Sequence, residues 1–156
     1  MDLEELKLKY AKLSEKYNFI SFKELNEAFE IDRIERETDC VLREVRKTMM
    51  DKVVNYMRFL EMFIYPSQAP ANFMFFIKEI NSFEKKVIEK IYMEFVELEL
   101  NSLRLEVGYS EKNEAEAIKK IYRVWNSLKK DLLSVFDFME RNWKSVSNKK
   151  EKTYFG

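Results

Sequence analysis

Two pairs of glutamates have a spacing that could bind a metal ion. Glu94 and Glu97 form one Glu-x-x-Glu pair, and Glu111 and Glu114 form a second pair on the next predicted helix. Residues three apart lie on one face of a helix, so each pair could present two carboxylates together. Such oxygens, with water completing the shell, suit Mg²⁺. These four glutamates are the metal candidates; the competing interpretation is solvated or ion-paired carboxylates, which a Glu-rich chain produces by chance.

The two pairs resemble the magnesium-binding pattern of the all-α nucleotide pyrophosphatases. The resemblance implies a Mg-dependent nucleotide hydrolase. That family follows its first pair with Glu-x-x-Asp, which this chain lacks, and here the second pair straddles the predicted start of a helix. We therefore keep this activity as the third candidate function and expect no cofactor.

Histidine is absent from the chain, and Cys40 is the single cysteine. Histidine is the commonest acid–base group and metal ligand. Its absence excludes Ser-His-Asp and Cys-His sites, the Glu-x-x-His pairs of di-iron bundles and, with one cysteine, the usual zinc sites. Cys40 precedes Val41 on a predicted helix, and we interpret it as a small core residue rather than a reactive thiol. The sequence thus favours a protein that is not an enzyme.

Basic residues cluster on the last predicted helix and continue into the tail at residues 147–156, and together they form the candidate nucleic-acid surface. Nucleic-acid binding needs a concentrated cationic surface, but the formal net charge of the chain is zero, and Asp131, Asp137 and Glu140 dilute the helix. A solvated outer face is the favoured interpretation, and a nucleic-acid-associated protein is the second candidate function. The candidate residues are Lys119, Lys120, Arg123, Lys129 and Lys130.

Apolar residues recur at spacings of three and four along most of the chain, which predicts helices. Two glycines and two prolines are too few for a sheet with tight turns. Residues 2–17 form the first predicted helix, and Ser21 with Glu24 is a capping box that starts a second one at Phe22. A break near residue 32 is expected, with a continuous charged helix as the alternative.

Three long helices of similar length follow, ending near Tyr65, Gly108 and Val146. Pro66 stops the first, and Gly108 in a left-handed conformation stops the second. Long helices with short connections form antiparallel bundles. The predicted fold is all-α: an antiparallel bundle of three long helices plus a short N-terminal helical hairpin, in one domain spanning 1–146 with a flexible basic tail at 147–156.

Folding the chain about residues 68 and 110 predicts the register between the long helices. Glu84 should lie near Lys52, and Glu94 near Arg43 or Arg46, so we expect ion pairs between the helices at these positions. From the prolines toward Gly108, the predicted layers are Leu60, Phe76 and Trp143; Val53, Phe83 and Phe136; Val45, Ile91 and Leu128; and Val41, Phe95 and Trp125.

Residues 53–80, the apolar hairpin, carry the densest apolar side chains. A helix that is apolar nearly all round must be covered on several sides, and three helices provide too few neighbours unless the N-terminal hairpin reaches this end. We therefore expect a homodimer or a protein partner here, with intramolecular core as the alternative. The leading candidate function is a non-enzymatic interaction or scaffold protein. The candidate interface residues are Tyr56, Phe59, Phe63, Tyr65, Phe73, Phe75 and Phe76.

The location is predicted from the apolar runs and from the start of the chain. Met1 is followed by the charged residues Asp2, Glu4 and Glu5, which is unlike a secretory signal. The longest apolar run, Val53 to Tyr65, is shorter than the roughly 20 residues that span a bilayer. We expect a cytoplasmic protein with no membrane partner. Its many Lys and Glu residues fit a thermophilic source or a low-GC genome.

Overall fold

The computed structural model describes the backbone of residues 2–34 and 38–154 and the side chains of 2–34 and 38–145. The prediction of an all-α fold is confirmed, since the described residues form helices and no strand. The α-helices are α1 (Leu3–Tyr17), α2 (Phe22–Phe29), α3 (Val41–Ile64), α4 (Met74–Glu79), α5 (Ser82–Val107) and α6 (Glu111–Tyr154), and short 3₁₀ turns cover Ile31–Arg33, Pro66–Gln68 and Ala71–Phe73.

The long helices α3, α5 and α6 pack against one another and enclose the core. Each helix buries an apolar stripe, for example Val45 and Met49 of α3, Ile88 and Ile91 of α5, and Ile118 of α6. The N-terminal hairpin, α1 and α2, packs against α3 and reaches α6, where the Phe29 and Trp125 rings lie 5.4 Å apart. It therefore completes the bundle as a partial fourth helix.

The ends of α1 and α2 follow the predicted capping signals. Asp2 accepts a hydrogen bond from the Glu5 amide, and Asn18 ends α1 in the left-handed conformation. Ser21 and Glu24 form the predicted capping box at the start of α2. The chain then breaks at the 3₁₀ turn of residues 31–33 and is extended at Ile34, so the alternative of a continuous charged helix is wrong.

The long helix predicted to end near Gly108 is two helices in the structure, α4 and α5. Ile80 is extended, and Asn81 caps α5 by accepting hydrogen bonds from the amides of Phe83 and Glu84. The Glu84 carboxylate accepts a hydrogen bond from the Asn81 amide in return. The predicted ion pair between Glu84 and Lys52 is therefore wrong, because this capping box occupies Glu84 and Lys52 donates a hydrogen bond to the Ala28 carbonyl instead.

The predicted register holds between α5 and α6 but fails for α3. The rings of Phe95 and Trp125 stack at 6.3 Å, as their shared layer requires. The centre of the Trp125 ring also lies 5.5 Å from the centre of the Tyr56 ring. Tyr56 is about four turns further along α3 than Val41, the predicted neighbour of Trp125. Phe83, predicted in the core, is 73% exposed. The α3 register differs because the connection from Tyr65 to Asn81 is longer than the predicted loop. The chain therefore turns back at a later residue than residue 68, and α5 is shifted along α3.

The second connection also differs in detail from the prediction. Gly108 is extended, with φ −146°, rather than left-handed. The Ser110 hydroxyl accepts a hydrogen bond from the backbone amide of Asn113 in the first turn of α6. Helix α6 continues to Tyr154, through most of the tail predicted at residues 147–156. At 44 residues it is the longest helix, so its C-terminal half reaches α4.

Candidate functional site

A buried ionic cluster joins α3, α5 and α6. Arg46 is 1% exposed, and its Nε lies 2.5 Å from Oε2 of Glu114, which is fully buried. The same guanidinium donates hydrogen bonds to the Ser102 hydroxyl and to Glu106. The hydrogen bond from Arg46 lowers the pKa of the Glu106 carboxyl below its usual value. The cluster thus satisfies its buried charges within the chain.

Arg43, Tyr109 and Cys40 lie beside this cluster, near the α5–α6 connection. Arg43 Nε is buried, and it lies 3.6 Å from Oε1 of Glu114. This distance allows an ion pair but is too long for a hydrogen bond. The Arg43 guanidinium lies 4.8 Å from the centre of the Tyr109 ring, and burial, followed by the nearby Cys40 thiol, raises the pKa of Tyr109 to about 12. Cys40 itself is the N-cap of α3 and is only partly buried, not in the core as predicted.

The structure separates the four glutamates of the predicted metal site. Glu94 is exposed on α5, and its predicted partners Arg43 and Arg46 pair with Glu114 instead. Glu97 pairs with Lys120 at 2.5 Å. Glu111 accepts hydrogen bonds from Lys16 Nζ at 2.6 Å and from the Tyr17 hydroxyl at 2.7 Å. Glu114 belongs to the buried cluster. In the described part of the chain, no three Asp, Glu, Cys or His side chains converge in the way a metal site requires.

The five basic residues proposed to bind nucleic acid differ in their ion pairs and in their exposure. Lys119 pairs with Glu116 and lies 5.8 Å from the centre of the Phe19 ring, and Lys120 pairs with Glu97. Arg123, Lys129 and Lys130 are exposed. The cationic surface is therefore smaller than the sequence indicated.

Most aromatic residues of the apolar hairpin find partners within the chain. Phe59 contacts Phe63, Phe73 and Phe136, and the Phe76 ring lies 6.4 Å from Trp143. Tyr56 packs between Trp125 and Phe136, and Phe75 contacts Phe76. Of the seven candidate interface residues, only Tyr65 is exposed, with 48% of its surface accessible to solvent. Helix α4 and the C-terminal half of α6 contact each other and cover part of this region, but no residue of α4 is fully buried. The expectation of a protein partner here therefore stays a prediction.

An apolar row that the sequence analysis missed lies on the outer face of α5. We call it the outer seam: Met93, Val96, Leu100, Leu103 and Val107. Four of the five are exposed, Met93 at 64%, Leu100 at 63%, Leu103 at 55% and Val107 at 93%. The opposite face of the same helix carries the buried residues Ile91, Phe95 and Leu98. Helix α5 is therefore apolar on two faces, and the bundle covers only one.

The spacing of the outer seam was visible in the sequence. Its residues are separated by three, four, three and four positions, which is the heptad pattern of helices that pair along a seam. The layers predicted from the sequence use a single apolar face of α5 and do not include this second row on the other side of the helix.

The comparisons with known proteins add no family or relative. The described residues form no helix with the length and apolar character of a membrane span. Protein-family models, curated proteins and solved structures were compared with the chain, and none of them matches.

Proposed function

We propose that this protein is a non-enzymatic helical bundle that acts by binding protein, as an interaction or scaffold component, and that the outer seam of α5 is the binding surface. The observation that carries the proposal is the exposure of four large apolar side chains in one row, on a helix whose other face is already buried. Contiguous exposed apolar surface on a folded domain commonly marks an interaction site.

Helix α5 is already formed within the bundle, which favours binding of a partner to the outer seam. Burial of apolar surface stabilises an interface by roughly 25 cal/mol per Å². Helix α5 is held by α3 and α6, so a partner that covers the outer seam gains this contribution without the cost of ordering a helix. The row between Met93 and Val107 extends for about 21 Å at 1.5 Å per residue.

The apolar hairpin supports the proposal at one edge. Its exposed aromatic residue Tyr65 lies 6.5 Å, ring centre to ring centre, from Tyr92, which flanks the outer seam on α5. The sequence predicted self-association through residues 53–80 as a whole. We now propose that only the exposed edge of this hairpin, beside α5, takes part.

Site-specific photo-crosslinking in cells tests the proposal. Benzoylphenylalanine is placed at Leu103 in one variant and at Leu133 of α6 in the other; both leucines are 55% exposed, but Leu133 is outside the outer seam. The proposal predicts a discrete protein adduct from position 103 and little from position 133. Adducts of equal yield from the two positions, or none from position 103, would contradict it.

A further inference from the structure

We propose that the occupant of the outer seam is a second copy of this chain, with the two α5 helices parallel; the inference rests on the proposed function. In a two-fold dimer, one patch contacts the same patch of the other copy, so the patch must be self-complementary. The outer seam meets this requirement through its heptad spacing and through the charges beside it.

The heptad positions follow directly from the spacing. Met93, Leu100 and Val107 occupy a positions, and Val96 and Leu103 occupy d positions. Leu98, at an f position, points away from such a seam and is 2% exposed inside the bundle. One face of α5 can therefore pair with another α5 while the opposite face stays in the core.

Two charged residues of opposite sign flank the outer seam and indicate the orientation. Glu99 is at a g position and Arg104 is at the e position five residues later. Neither has a salt bridge within residues 2–34 and 38–145, and Arg104 is exposed. In parallel pairs of helices, a g residue lies beside the e residue five positions later on the other helix. Glu99 of each copy would then meet Arg104 of the other.

The antiparallel arrangement matches these charges less well. There, g positions face g positions, so Glu99 would lie close to an acidic residue of the second copy, Glu99 or Glu106. At the e positions Arg104 would meet Glu97, which already pairs with Lys120. The parallel arrangement forms two new pairs of opposite charge and is the one we propose.

The size of the surface predicts a modest affinity. A standard interface has about 20–30 residues on each side, whereas the outer seam with its flanking residues provides fewer. We expect a dissociation constant on the order of micromolar, because apolar burial must offset the loss of translational and rotational freedom.

Sedimentation equilibrium of the purified full chain tests the inference. The wild type is expected to dimerise, and Leu100→Lys to remain monomeric, while the matched control Leu133→Lys dimerises as the wild type does. Glu99→Arg and Arg104→Glu should each weaken the dimer about tenfold by replacing two attractive pairs with repulsive ones. The double variant Glu99→Arg/Arg104→Glu should restore the dimer, because it rebuilds both pairs.

Circular dichroism confirms that each variant is folded before its association is compared. A wild type that stays monomeric at high micromolar concentration would overturn the inference, and so would a dimer that Leu100→Lys leaves intact or a double variant as weak as the single ones. If the purified chain is monomeric while position 103 still crosslinks to another protein in cells, the inference fails and the proposed function stands.

Discussion

Arg46 and Glu114, 68 residues apart in the chain, form a buried ion pair that ties α3 to α6, with Nε and Oε2 2.5 Å apart. Ser102 and Glu106 of α5 accept from the same guanidinium, so one side chain fixes all three long helices relative to each other. Hydrogen-bond geometry is more selective than apolar contact, and we infer that this cluster specifies the register of the bundle.

Removing one member of the pair should be costly. Arg46→Met leaves the Glu114 carboxylate buried without its main partner, and we expect the free energy of unfolding to fall by about 3–5 kcal/mol. Urea unfolding at neutral pH measures the loss. The double variant Arg46→Met/Glu114→Met should lose less than the two single variants together, because it leaves neither buried charge behind.

The control for this prediction is Lys90→Met. It removes the partner of Asp131 in a pair that joins α5 to α6 at the surface, at 2.8 Å. Solvent screens that pair, so the loss should be much smaller. An Arg46→Met variant with a loss no larger than that of Lys90→Met would contradict the prediction.

Two phenylalanines of α5 provide a direct test of the observed packing. Phe95 is fully buried against Trp125, whereas Phe83 is 73% exposed. Phe95→Ala should lower the free energy of unfolding by about 3–5 kcal/mol, because it leaves a cavity. Phe83→Ala should change it by less than about 0.5 kcal/mol. Thermal or urea unfolding measures both, and equal losses would support the register predicted from the sequence instead.

Stability should depend on acid pH through Glu111. Hydrogen bonds from Lys16 and then from Tyr17 lower the pKa of the Glu111 carboxyl in the folded state. The ionised carboxylate therefore stabilises the folded state. This stabilisation is complete at a pH above the pKa of glutamate in the unfolded chain, about 4.3, and is lost as the pH falls through the lower pKa of the folded state. The unfolding free energies of wild type and Glu111→Gln should therefore differ at pH 7 and converge in more acidic solution.

Unfolding at a series of pH values measures this convergence, with Glu94→Gln as the control. Glu94 is an exposed carboxylate on α5, and its replacement should have little effect at any pH. A difference between wild type and Glu111→Gln that stays constant down to about pH 3 would show that the ionised carboxylate does not contribute to stability.

Three features could be predicted from the sequence: the fold class, the N-terminal hairpin and the pairing of α5 with α6. Each of them depends on signals within a helix or across a short connection. Ser21 and Glu24 mark a helix start wherever they lie in space. Asn81 and Glu84 have the same signature, and that signal could have revealed the break before α5. The apolar periodicity that continues through residues 73–91 concealed it.

The cluster around Arg46 and the register of α3 were beyond the sequence. An arginine is mostly found at the surface, and nothing near Arg46 in the chain indicates a buried partner 68 residues later. Their meeting depends on the length of the connection from Tyr65 to Asn81. The outer seam is a different case, because its spacing is plain in the sequence, but only the structure shows which of the two apolar faces of α5 the bundle covers.

The most direct measurement of the central claim is a methyl NMR dilution series of the full chain. The account predicts that the methyl signals of Leu100, Leu103 and Val107 shift with protein concentration, because a second copy covers them. The signals of Leu133, which is as exposed as Leu103, and of the buried Leu98 should stay constant. Shifts at Leu133 as large as those at Leu103, or constant signals throughout the outer seam up to high micromolar concentration, would contradict the account.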